Sequence, residues 1–183
     1  MRADDAAAVA RVLALRTTLP ANWRSGLADV REVGTFVSPP VGGFVFVVGA
    51  DVAGFGAVAE DVAPRLARLS ATFGFAAWFR SEDAVDAYGW ACARDGELVR
   101  AYAYAGEHGP VAWEGEVDEA ERRLGCHVDD PRDRSDDDVK WWPDRRIVHA
   151  LAAAWSLDPD ALPQRGGAPG VGLVGRMGPA TAG

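Results

Sequence analysis

Apolar positions recur along this chain with two spacings. Val9, Val12, Leu13 and Arg16 follow one helical face and predict a helix over about residues 5–16, with Asp4 or Asp5 as its cap. Val62, Leu66, Leu69 and Phe73 give the clearest helical stripe, over 62–73. Asp61 is placed to cap it, Pro64 suits its first turn and Gly74 its end. A last helix over about 144–155 presents Ile147, Val148, Leu151 and Trp155, and Asp158-Pro159 terminates it. Shorter helical stretches are read at 21–29 and 117–124, the latter stopped by Gly125.

The alternating segments predict strands at 34–38, 75–80, 88–94, 97–105 and 111–114. Segment 43–48 is apolar on both faces, which predicts a strand in the middle of a sheet. Asp95-Gly96 between two strand patterns is a hairpin signal, because a type I′ turn needs positive φ at both central residues. On the second hairpin strand, strict alternation puts Leu98, Arg100, Tyr102 and Tyr104 on one face. Val99, Ala101, Ala103 and Ala105 fall on the other, where small side chains admit a close helix. Segment 81–85 follows neither period.

These elements amount to a single α+β domain over 1–162, a mainly antiparallel sheet packed by three to four helices. Residues 163–183, rich in Gly, Pro and Ala, read as a flexible or extended tail. At 183 residues the chain is long enough to build a core without staples. Its net charge of −8 argues against a general nucleic-acid binder and suits a basic protein partner. Cys92 and Cys126 make no disulfide framework, and Cys92 reads as a small buried residue inside a strand. Neither a secretory leader nor a membrane-spanning run is recognised, so a cytoplasmic location is expected. The high content of Ala, Gly, Arg and Asp suggests a GC-rich bacterial source.

Two constellations stand out. On the hairpin, Arg100, Tyr102 and Tyr104 with Tyr88, Trp90 and the nearby Glu107 would line a cleft for a planar or anionic small molecule. The competing reading makes them half-buried sheet residues, with Arg100 paired to an acidic neighbour. The second is the acidic loop 126–143, in which Asp136, Asp137 and Asp138 precede Trp141 and Trp142. Aromatic anchors within a charged rim suit a recognition surface, or else a plug that ties the loop to the core.

Other motifs fall short. From Asp129 the sixth loop position is Arg134 and the twelfth Lys140, which breaks the calcium-loop pattern. Cys126, His127 and His149 match none of the usual zinc spacings. Glu107-His108 on a turn reads as solvated more readily than as an acid–base pair, and Gly49, Gly54 and Gly56 lack the context of a phosphate loop. No nucleophile elbow, Walker loop or His-Glu-x-x-His occurs, so neither metal nor cofactor is expected.

At 73–109 and 154–162 the chain resembles an uncharacterised family of bacterial proteins. Phe73-Gly74, Asp95-Gly96, the run Arg100-Ala101-Tyr102-Ala103-Tyr104, Ala105-Gly106-Glu107 and Trp155-Ser156-Leu157-Asp158-Pro159 carry the likeness. It implies a shared fold, and a place beside toxin–immunity or similar accessory loci, and it transfers no catalytic residue. The sequence therefore leads to a cytoplasmic binding protein without catalysis, of which an acidic immunity-type protein neutralising a protein partner is one form. The alternative is a small-molecule-binding protein or enzyme, for example in a bacterial biosynthetic pathway, using the hairpin face.

Overall fold

Caps and turns set most element ends. The computed structural model of the chain describes residues 1–49, 58–126, 142–162 and 170–177. Helix α1 (Ala6–Val12), capped by the Asp5 carboxylate, leads into strand β1 (Leu15–Ala21). Helix α2 (Trp23–Val33) opens on a reciprocal Asn22–Ser25 capping box and is followed by β2 (Thr35–Val37) and β3 (Val47–Gly49). A π-helical turn at Val58–Val62 enters α3 (Ala63–Phe73). Four strands follow: β4 (Phe75–Glu82), β5 (Ala87–Arg94), β6 (Glu97–Ala105) and β7 (Pro110–Glu114). Helices α4 (Glu119–Arg123) and α5 (Arg145–Trp155) and strand β8 (Gly172–Met177) complete the order.

The fold is α+β in one domain, with two four-stranded antiparallel sheets ordered β1-β8-β2-β3 and β4-β5-β6-β7. Helices and sheets alternate in layers. Helix α2 covers the outer face of the first sheet through Phe36, Ala21 and Val174. Helices α1 and α3 fill the space between the sheets, where Val9, Leu13, Leu66 and Leu69 meet Val37 and the alanines of β5 and β6. Helices α4 and α5 cover the far face of the second sheet, on Trp90 and Tyr102.

The hairpin forms at the expected residues: Asp95 (φ 49°) and Gly96 (φ 95°) connect Arg94 to Glu97. One side chain changes face. A bulge between Cys92 and Ala93 takes Val99 out of the pairing, so Leu98 joins Ala101 and Ala103 in the core between the sheets. Strict alternation would put Leu98 beside Arg100.

Four further expectations are corrected. Residues 15–21 are a strand, not a helix end; Ala14 and Thr17 both stand at φ 53°, which stops α1 and bends β1. Segment 43–48 yields only a short edge strand, with Val45 buried and Val48 at the surface. Within the segment read as a tail, 172–177 form β8, between β1 and β2. The low apolar content that resembles a tail reflects crowding. A Cβ at Gly172 would lie 2.2 Å from the Val37 carbonyl oxygen, and one at Gly175 would lie 2.7 Å from that of Arg16. Helix α3 also lacks the expected Asp61 cap, Val62 standing at its N-cap without a side-chain hydrogen bond.

Segment 1–3 ties the sheets together at one end. Arg2 bridges to Phe44 while its backbone N–H donates to the Phe75 carbonyl at 3.2 Å. Beyond that tie the edge strands β3 and β4 face a common space.

Candidate functional site

The hairpin face expected to offer a cleft is filled. Arg100 is fully buried: its Nε lies 2.9 Å from Glu121 Oε2 and its Nη2 2.9 Å from Oε1. Nη1 donates to the carbonyls of Ala101, Glu114 and Gly115, and the guanidinium sits 4.2 Å above the Trp113 ring. Glu121 also accepts from Trp90 Nε1 and from the Asp118 backbone N–H, each at 2.9 Å. Asp118 caps α4 through the Glu121 N–H and accepts from Trp155 Nε1 at 2.6 Å. The arginine thus pairs with an acidic neighbour, and the pair clamps α4 onto the sheet. A buried carboxylate supplied with this many donors has its charge compensated on every side.

The remaining hairpin residues follow from that packing. The Trp90 and Tyr102 rings lie 4.6 Å apart beneath α4 and α5. Tyr88 donates its hydroxyl to Asp83 Oδ1 at 3.1 Å; burial first, and then this acidic partner, raise its pKa. Tyr104 is half-buried and faces the exposed Trp142 ring at 6.1 Å. Glu107 is exposed on the Gly106–His108 turn, away from the buried cluster. Beside Tyr88 and Tyr104 a space of about 20 Å³ is left, enough for one water. Asp136, Asp137, Asp138 and Trp141 lie outside the described residues, as do His127, Gly54 and Gly56. Among the described residues, no group of three His, Cys, Asp or Glu side chains is placed to hold a metal ion.

A different cleft opens where the two sheets turn their edges to each other. It has a volume of about 460 Å³. Phe46, Val47 and Val48 form one wall and Ala77, Trp78 and Phe79 of β4 the opposite one. Leu66 and Leu69 of α3, with Val148 and Ala152 of α5, close it above and below, and Leu157 and Leu162 border its rim. The chain matches no family model, no curated protein and no solved structure.

Among the described residues, the polar side chains on the lining include Arg65, Ser81, His149 and Ser156. The Ser156 hydroxyl donates to the Ala152 carbonyl, closing the end of α5. The Ser81 Oγ is buried without a hydrogen-bond partner, an unsatisfied group at a cost of about 1–3 kcal/mol. His149 Nδ1 stands 3.1 Å from Asp160 Oδ2. Asp160 is not on that lining; with Arg145, Arg146 and Asp158 it borders a separate surface depression that shares His149.

Sequence reasoning missed this site for a physical reason. Leu66, Leu69 and Val148 carry the same helical spacing whether they meet other side chains or an open volume. One signal was present: 43–48 is apolar on both faces, yet β3 lies at a sheet edge, where such a strand borders either the core or an apolar cleft. Among the described residues, no helix is long and apolar enough to cross a membrane.

Proposed function

We propose that the protein binds a small apolar molecule in the cleft between the edges of its two sheets. The observation that carries this reading is an apolar-walled volume of about 460 Å³, inside the range of roughly 300–1,000 Å³ typical of ligand sites, with only a few polar side chains among the described residues of its lining. Filling the cleft provides the test. Ala77→Trp directs an indole into it, and the variant should fold normally while losing the uptake of an apolar fluorescent probe that the parent protein shows. Equal uptake by both would remove the reading.

A second reading, an acidic immunity-type protein that neutralises a basic partner, is favoured by the net charge of −8 and by Trp142, which is 58% exposed. A complex with the product of a neighbouring gene at micromolar concentration, lost in Trp142→Ala, would support it. No complex at that concentration would count against it.

A further inference from the structure

Taking the cleft as a ligand site, we infer that its ligand is a short apolar peptide. It enters as an extended strand and pairs with β3 on one side and β4 on the other. Three observations lead there.

The first is the strand position that segment 1–3 already occupies. Met1 and Val45 exchange both main-chain hydrogen bonds, at 3.2 and 3.0 Å, and the Ala3 N–H donates to the Gly43 carbonyl. Arg2 turns the other way and donates to the Phe75 carbonyl. The segment is therefore a strand with a neighbour on each side, antiparallel to 43–45. Met1 stands on the lining of the cleft, and beyond it the same two edges run on as 47–49 and 77–81. Both leave the tie in the same direction, so a strand in line with segment 1–3 is antiparallel to each.

The second is the direction of the main-chain groups. In an antiparallel ladder, successive residues turn their N–H and C=O to opposite edges. Gly74 accepts from Asp95, in register with β5, and Phe75 accepts from Arg2, so Ala77, Phe79 and Ser81 also turn theirs away from β5. On the first sheet Phe46 bonds to Ser38 and Val45 to Met1, so Val47 and Gly49 turn theirs away from β2. All five residues line the cleft, and among the described residues no chain pairs with their outward groups. An alkyl chain would displace water from these donors and acceptors without replacing its hydrogen bonds. A second backbone offers each of them a partner in alternation.

The third is wall chemistry and length. Side chains of a strand in this position point alternately toward α3 and α5. Leu66 and Leu69 would meet one set and Val148 and Ala152 the other, so the peptide is apolar at every position. The outer edge of β4 borders the cleft over 77–81, a length that a peptide of about five residues covers.

The test titrates the full chain with a five-residue valine–leucine peptide on a soluble lysine tail. The comparison is the same peptide N-methylated at alternate residues, which keeps the apolar side chains and the tail but loses the donors to one edge. The unmethylated peptide is expected to bind at least tenfold more tightly. On binding, the amide protons of Ala77 and Phe79 should become protected from exchange, while those of Ala76 and Trp78, which face β5, keep their rates. Ala77→Pro removes one cleft-facing donor without touching the ladder to β5, and should weaken the peptide at least tenfold while an apolar fluorescent probe still enters. Equal binding of the two peptides, unchanged exchange at Ala77 and Phe79, or binding of neither peptide while the probe enters would each overturn the strand assignment. Each would leave the cleft a site for other apolar molecules. Exclusion of peptide and probe alike would remove the reading of the cleft as a ligand site, and the inference with it.

Discussion

Arg100 and Glu121 form a fully buried ion pair in which Arg100 Nε contacts both carboxylate oxygens, at 3.0 and 2.9 Å. Glu121 is also the third residue of α4 and completes its capping box with Asp118. One side chain therefore ends a helix start and a sheet-to-helix contact at the same carboxylate. Removing either partner leaves the other charge buried without compensation.

The first prediction follows directly. Arg100→Met and Glu121→Leu should each cost about 3–5 kcal/mol in denaturant unfolding. The double variant should cost much less than the sum, because no charge is left buried. Additive losses would show that the pair does not act as a unit.

The thiols give a prediction in pH. Burial pushes Cys92 up to about 11 and Cys126 up to about 12, from an ordinary value of 9.0. Burial also raises the phenols of Tyr88 and Tyr104. The folded state thus holds these protons more tightly than the unfolded chain does. Their contribution to stability is fully present below about pH 9 and is lost as pH rises through 11 and 12. Chemical denaturation measured from pH 8 to 11 should show stability falling over the upper part of that range, with a shallower fall in Cys92→Ala/Cys126→Ala. At pH 8 neither thiol should react with a thiol reagent until the protein unfolds. Rapid labelling of native protein would contradict the burial.

The C-terminal strand gives a third. Among the described strands β8 alone links β1 to β2, so ending the chain at residue 169 should abolish cooperative folding of the first sheet, seen as lost dispersion of the Phe36 and Val37 amide signals. Gly172→Ala should cost about 1–3 kcal/mol, since the added methyl meets the Val37 carbonyl and the strand must shift. A truncated chain with an unchanged spectrum would mean that 172–177 contribute nothing.

That strand also shows where sequence reading stops. The hairpin at Asp95-Gly96, the helices ending at Phe73 and Trp155, and the burial of Cys92 are local: turn chemistry and periodicity encode each within a few residues. Strand β8 is not local. Its glycines are demanded by carbonyl oxygens of Arg16 and Val37, more than 130 positions earlier in the chain, so composition alone makes it look like a tail. The same limit applies to Arg100. The hairpin places it with Tyr102, but whether it faces a ligand or a glutamate depends on a helix that begins at residue 119. The cleft is further removed still, since it is a space between edge strands from two sheets.

Occupancy of the cleft is most directly tested by nuclear Overhauser contacts between a carbon-13-labelled neutral alkyl probe and the methyl groups of the protein. Contacts are expected to Leu66 and Leu69 of α3 and to Val148 of α5, all on the cleft lining, and are expected to be lost in Ala77→Trp. Contacts confined to methyls elsewhere, such as the exposed Val171, or no contacts at all, would contradict it.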